Sequence, residues 1–345
     1  MANTREVLGD QATLDALVSN TLETFEDDTF SRILENAFYH NSGLKTVDLA
    51  GTGDLYIGRD AFYECANLTQ LVIRSNKVAT VYADYSLRYT PIANRKGAVF
   101  VPDNLVDAYN LDKTWRAYII LPVSRFPTTD YSTIADSWNE IFAAEEDGSY
   151  LEKYKVGDTK LFYDGTRNVV MQIAAMDADD FANGSGKAKI TWISRFLNES
   201  HKMFDSSTNV SPGIGGSSLQ AWLEGTIWNK IPAEVRAGIK QVKKKSMCLV
   251  DDTTLTMVEN NFRIWIPSAR ELFGGSSYET EGPVYSGLFP NNDARIKTNE
   301  YGSAYSYWTR TSTSNNGYYA GIDNTGKMVP NLVTNGPPVA IGFCT

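Results

Sequence analysis

Histidine is almost missing from this sequence: only His40 and His201 occur among 345 residues. Acid–base and metal chemistry near neutral pH leans on that side chain, so its scarcity argues against a catalytic or metal-holding role. His201 follows Asn198-Glu199-Ser200 with no nucleophile-elbow pattern, and His40 lies in a repeat, so neither anchors a serine–histidine–acid triad. Cysteine is scarce as well. Cys65, Cys248 and Cys344 are odd in number and widely spaced, which gives neither a disulfide framework nor a zinc pattern and points to folding in a reducing cytoplasm. No apolar run approaches the roughly 20 residues that span a bilayer. The opening residues, Met1 to Glu6, are polar and lack the core of a signal peptide. Positive charge is also in deficit. Lys and Arg number 32 against 41 Asp and Glu, a net charge of -9, and phosphate neutralisation along nucleic acid needs the opposite balance. The one basic run, Lys243-Lys244-Lys245, reads as a solvated helix end or strand edge.

What is present is enough apolar residue for a real core, 42% of the chain, over a length comfortable for two domains. Aromatic residues are plentiful, with 19 Tyr, 15 Phe and 7 Trp. Tyr and Trp supply large contact area at low entropic cost, which suits recognition surfaces as well as cores. Residues 10–26 place Leu14, Leu17, Val18, Leu22 and Phe25 at spacings of three and four, which predicts an amphipathic helix capped by Asp10 and closed by Glu26-Asp27-Asp28.

An internal repeat follows. Residues 37–49 align with 61–73 at a constant offset of 24, pairing Ala37-Phe38-Tyr39 with Ala61-Phe62-Tyr63, Leu44 with Leu68 and Leu49 with Ile73. Each unit offers an Ala-Phe turn and a short strand (47–49, 71–73). One unit cannot cover its own apolar face, so units must stack, with the helix at 10–26 capping one end. His40 and Cys65 read as packing residues of this repeat. The pattern Ala61-Phe62-Tyr63-x-Cys65-x-x-Leu68-Thr69-x-Leu71 resembles the surface-antigen type of leucine-rich repeat found in gut bacteria and their phages. The stretch from Tyr89 through Val99-Phe100-Val101-Pro102, Tyr109, Trp115 and Ile120 to Val123 is similar to the closing segment of those repeats. Domain boundaries are therefore expected at 1–123 for the capping helix and repeats, 124–137 for a linker rich in Pro, Thr and Ser, and 138–345 for a second domain.

In that second domain, strands are expected at 161–162, 169–176, 189–193 and 262–266, and helices at 138–144, from Ser217 or Ser218, and at 232–242. Ser268-Ala269-Arg270-Glu271 has the form of a capping box. The last part reads as short strands (305–310, 318–322, 327–329, 339–343) joined at Asn315-Asn316-Gly317 and Asn324-Thr325-Gly326, where Asn or Gly accepts positive φ. Strands and two helices first, then a run of short antiparallel strands, make an α+β architecture. Lys155-Val156-Gly157-Asp158, Asp177-Ala178-Asp179-Asp180, Gly184 to Ala188, Leu219 to Leu223, Trp265-x-Pro267-Ser268-x-x-Glu271 and Tyr307-Trp308-x-Arg310-Thr311 resemble a domain of unknown function common in gut phages and Gram-positive bacteria. Such domains look like the C-type-lectin-like fold, shared by formylglycine-generating enzymes and by the variable proteins of diversity-generating retroelements.

That resemblance implies an oxidative enzyme only where an active cysteine pair exists, and this domain holds just Cys248 and Cys344. Asp177, Asp179 and Asp180 with Asn183 supply hard oxygens but no EF-hand pattern, and read as a solvated acidic loop. Gly213-x-Gly215-Gly216 has no following lysine and reads as a flexible loop. Trp308 and Arg310 match the domain's own pattern and read as structural. The expected ligand surface is Tyr305, Tyr307, Asn315, Asn316, Tyr318, Tyr319, Asn324, Asn331 and Asn335, a vocabulary of adaptable binding loops. The resulting expectation is a non-enzymatic phage tail protein in the virion, assembled in the host cytoplasm and diversified by a retroelement. It would bind a bacterial surface receptor, protein or glycan, and other tail proteins, with no cofactor, no metal, no nucleic acid and no membrane insertion; a homo-oligomer is compatible with it. The alternatives are a formylglycine-type or hydrolytic enzyme of the same fold, or a bacterial adhesin.

Overall fold

The computed structural model describes residues 15–16, 18–27, 31–51, 53–82, 86–205, 213–249, 254–275, 281–299 and 302–345. It is an α+β protein with several sheets. The chain divides into two compact units, Met1–Tyr131 with Glu300–Ser303, and Ser132–Asn299 with Ala304–Thr345. This division falls inside the stretch 124–137 read as a linker. That stretch is not loose: Ser132 and Ile134 are buried, and Ile134 belongs to the second core.

The first unit runs through short strands: β1 (Thr24–Asp27), β2 (Arg32–Ile33), β3 (Thr46–Leu49), β4 (Tyr56–Ile57), β5 (Gln70–Ile73), β6 (Thr80–Val81), β7 (Ala98–Val101) and β8 (Ile120–Pro122). They form two parallel ladders, β1-β3-β5-β7-β8 and β2-β4-β6. Thr46 of β3 faces Gln70 of β5, 24 positions on, so the repeat period is the ladder register. The first three coils each give one strand to each ladder, and β7 and β8 extend the longer ladder alone. Leu44, Val47, Leu49, Leu68, Leu71 and Ile73 fill the space between, and Phe25, Phe38 and Phe62 pile up through the core with centroids 5.0 and 5.2 Å apart. Tyr109 of α1 (Val106–Leu111) and Trp115 cover the far end. The Trp115 indole donates to the Ala79 carbonyl, and the Tyr109 hydroxyl accepts from the Ala79 amide.

Two expectations for this unit change. The helix foreseen over 10–26 cannot extend to its stated end, because residues 24–27 are β1, hydrogen-bonded to β3. Phe25 satisfies an apolar position in either periodicity, and ladder pairing decides it. Asp10, Leu14 and Leu17 lie outside the described residues. His40 is no core residue either. It is half exposed, takes φ 60°, and sits 3.0 Å from Glu64, its counterpart one coil on, while Cys65 is fully buried. Tyr39 stacks on Tyr63 at 5.3 Å, so this edge is an aromatic ladder facing solvent.

The second unit begins with α2 (Trp138–Asp147), opened by a capping box between Ser137 and Glu140, and the one-turn α3 (Tyr150–Lys153). Strands β9 (Thr159–Tyr163), β10 (Asn168–Met176) and β11 (Ile190–Ser194) form an antiparallel sheet that the last strand of the chain joins at its edge. Ser217 caps α4 (Ser218–Trp222), which continues through a π turn (Leu223–Ile227) to Lys230. The next helix, α5 (Ala233–Gly238), is shorter than the 232–242 expected. From Val242 the chain is extended, and β12 (Val242–Leu249) pairs over its whole length with β13 (Leu255–Phe262). The strand foreseen at 262–266 is therefore the end of β13 followed by an irregular run, Ile264-Trp265-Ile266, all buried. Then come α6 (Ala269–Phe273), α7 (Asn292–Arg295), a three-stranded antiparallel sheet of β14 (Tyr307–Ser312), β15 (Tyr318–Ile322) and β16 (Met328–Leu332), and finally β17 (Gly342–Cys344) beside β11. Among the described residues no helix is long and apolar enough to cross a membrane.

Candidate ligand-binding site

The residues expected to form a ligand surface separate into three groups. Gly317 and Gly326 take φ 79° and 76°, so both foreseen turns form, but they lie at opposite ends of the β14-β15-β16 sheet. Tyr318 pairs with Leu332 at one end, and Ile322 with Met328 at the other. Strand β15 rises about 3.4 Å per residue, so its ends stand roughly 14 Å apart. Exposed Asn315, Asn316, Tyr318 and Asn335 share the first end, where the Val333 amide donates to the Gly317 carbonyl. Exposed Asn324 lies beyond the second, and Tyr305, half exposed, precedes Tyr307 on that side.

Tyr307, Tyr319 and Asn331 drop out of the surface set. Tyr307 and Tyr319 are fully buried in the core; the Tyr307 hydroxyl donates to the Arg295 carbonyl, and the Tyr319 ring packs on Phe204. Strand alternation is the cause: in Tyr318-Tyr319 one ring must face out and the next must face in. Asn331 stands opposite Tyr319 on that inner face, with its amide folded over Gly321.

Beneath this sheet lies a feature the sequence reading missed. Lys244, read as part of a solvated basic run, is buried. In β12 the alternating residues Val242, Lys244, Ser246 and Cys248 all face inward, which puts the middle lysine of three inside. Its ammonium donates to Asp179 Oδ1 at 2.6 Å, Glu271 Oε1 at 3.0 Å and the Tyr285 hydroxyl at 2.9 Å, and lies 3.5 Å from the centre of the Trp265 ring. Arg310 closes the other side. Its two terminal nitrogens donate to both Glu271 oxygens at 2.6 and 2.7 Å and to the Ile266 and Glu281 carbonyls, while Nε donates to the Lys245 carbonyl.

The carboxylates are equally well served. Asp179 Oδ2 accepts from Tyr285 at 2.8 Å and Thr191 at 2.7 Å; Glu271 Oε2 accepts from the Ser268 amide, completing the capping box of α6. Burial raises the Glu271 carboxyl, but the charges of Arg310 and Lys244 outweigh it and hold the group down at about 2. Glu281, buried with Met247 N and Thr311 Oγ1 as donors, is pushed up by desolvation. Two cations thus meet two anions, with every Arg310 N–H used. Such a network earns its place by fixing one arrangement of β12, α6 and β14.

The foreseen acidic loop is correspondingly less solvated than expected. Asp179 is internal, Asp177 accepts from the Tyr150 hydroxyl, and Asp180 pairs with Lys187 at 3.0 Å. No group of three or more potential metal ligands occurs among the described residues. Residues 214–216 form a 3-10 turn. Cys248 lies against Gly213 and Tyr319, whereas Cys344 lies near Thr191 and Asp179, so the two thiols have different neighbours. His201 stacks on Trp222 at 4.9 Å.

One titration should be visible in stability. Glu145 of α2 accepts from Thr345 Oγ1, which in turn accepts from the Trp192 indole; burial raises the Glu145 carboxyl from 4.5 to about 7. The folded state then holds this proton after the unfolded state has lost it, so the contribution is full below about 4.5 and is lost as pH rises towards 7. Glu145→Gln should raise the melting temperature at pH 8 by a few degrees, roughly 1–2 kcal/mol, and change it little at pH 4.5. Equal shifts at both pH values would refute the assignment.

Residues 193–341 match a domain family described only as a domain of unknown function, DUF6273. No curated protein and no solved structure matches the chain. Lys244, Glu271, Tyr285 and Arg310 fall within the DUF6273 stretch, but Asp179, Thr191 and Cys344 lie outside it. The ion network and the β11–β17 pairing therefore tie residues on both sides of the matched stretch into the same folded unit.

Proposed function

We propose that this chain is a non-enzymatic recognition protein of a phage tail, with a leucine-rich-repeat first unit acting as spacer or virion attachment and a C-type-lectin-like second unit that contacts a bacterial surface. The observation that carries this reading is the sheet end where Asn315, Asn316, Tyr318 and Asn335 are exposed over a fully buried ion network. A rigid base lets side chains at its rim vary without unfolding the core, as a binding surface subject to diversification requires. The 24-residue register of the parallel ladders supports the repeat assignment. The separate surroundings of Cys248 and Cys344 favour binding over the formylglycine-type alternative.

Tyr318→Ala should weaken attachment to host cells by about 2 kcal/mol, near thirtyfold, with a melting temperature close to that of the parent. Tyr319→Ala, next to it but enclosed, should instead destabilise the fold by about 3 kcal/mol or more. Cell-binding and thermal-melting measurements on both variants check this. Unchanged attachment by Tyr318→Ala, with its fold intact, would remove the sheet end from the site.

A further inference from the structure

The chain contains three Asn-Gly pairs, Asn183-Gly184, Asn316-Gly317 and Asn335-Gly336, and the fold treats them differently. The backbone nitrogen that follows an asparagine can attack that asparagine's own side-chain amide. Glycine in the second place has no Cβ to shield the nitrogen or to restrict the rotation that brings it in.

At Asn183 both reacting groups are engaged elsewhere. Its Oδ1 accepts from the Ser185 amide at 2.9 Å and from Ser185 Oγ at 2.7 Å, and the Gly184 amide donates to the Phe181 carbonyl at 3.0 Å. Asn324 is guarded in another way. The residue after it is Thr325, whose branched side chain crowds the nitrogen and whose amide donates to Asp323 Oδ1 at 2.8 Å. The remaining two pairs are unguarded. Among the described residues the side chains of Asn316 and Asn335 and the amides of Gly317 and Gly336 have no hydrogen-bond partner. Both asparagines are exposed; Gly336 is exposed as well, whereas Gly317 is more covered. The bond from the Val333 amide to the Gly317 carbonyl, 2.9 Å long, joins the two turns at one end of the sheet.

We propose that Asn335, and after it Asn316, are sites of spontaneous covalent modification that turn this end of the sheet acidic as the protein ages. The glycine nitrogen loses its proton to solvent base and bonds to the asparagine Cγ. The bond from Cγ to the side-chain nitrogen breaks, and that nitrogen takes up a proton and leaves as ammonia. The resulting succinimide ring takes up one water and opens at either carbonyl, to aspartate or to isoaspartate. Each site thus consumes one water and releases one ammonia, with no oxidant or reductant. A side chain that both donates and accepts becomes one that only accepts and carries negative charge, in a chain already at -9. The consequence for attachment rests on the recognition reading above; the chemistry does not.

The test incubates the folded full chain in warm, mildly alkaline buffer and maps its peptides by mass spectrometry, with aspartate and isoaspartate resolved. Asn335 and Asn316 should convert about tenfold or more faster than Asn183, where three hydrogen bonds must first break. In the chain unfolded in urea the three rates should converge, because the glycine that follows is common to all. The proposal is overturned if Asn183 keeps pace with either site in the folded chain, or if the same difference in rates persists in urea. Host-cell attachment of fresh and aged protein separates the two readings. Conversion with unchanged attachment would support the modification and remove the sheet end from the recognition surface.

Discussion

Arg310→Ala should unfold much of the second unit, at a cost of about 3–5 kcal/mol, because it leaves Glu271 buried with half its compensation gone and three backbone carbonyls without a donor. Domains of this kind hold about 5–15 kcal/mol in all, so the variant should sit near the edge of folding. Arg310→Lys should recover only part of the loss, since an ammonium cannot make the paired bonds to both Glu271 oxygens. The same network predicts acid sensitivity. Glu271 is held low in the folded state, so its contribution is present above about 4.5 and is lost as pH falls towards 2. Denaturant titrations of parent and variants at pH 7 and pH 3 measure both effects. An Arg310→Ala protein melting within a degree or so of the parent would show that the network contributes little.

Phe62→Ala should act on the other unit. Its ring is wholly buried and stacks 5.2 Å from Phe38, so truncation opens a cavity between adjacent coils. A loss of about 3–5 kcal/mol is expected. Because each coil is held by its neighbours, the damage should spread along the ladders rather than stay at one residue. Hydrogen exchange should therefore accelerate together across β1, β3 and β5, while the amides of β10 and β11 keep their protection. Protection of β3 and β5 equal to that of the parent would contradict the stacking account.

How legible this was in the sequence can be traced residue by residue. The Ser268–Glu271 capping box, the Ser217 cap and the turns at Gly317 and Gly326 form where expected, because each depends on groups within a few positions of one another. The β12–β13 pair was missed although it is the longest ladder of the second unit. Its outward face carries Lys243, Lys245, Met247, Met257, Glu259 and Asn261, and its inward face carries Lys244, Ser246 and Asn260, so it lacks the apolar alternation that marks a strand. Tyr318 and Tyr319 looked equivalent as residue types, yet strand alternation sends one to solvent and the other to the core.

By itself the sequence determined whatever is written in short range or in exact repetition: the 24-residue register, the caps, the turns and the α+β class. Those signals rest on local backbone preference and on identical faces stacking against each other. The tertiary structure alone decided which charges are internal. Asp179, Lys244, Glu271 and Arg310 come from four distant segments, and a lysine between two lysines gives no sign of its fate. A buried charge is tolerable only beside its partner, and partners so far apart along the chain become neighbours only when the sheets close over them.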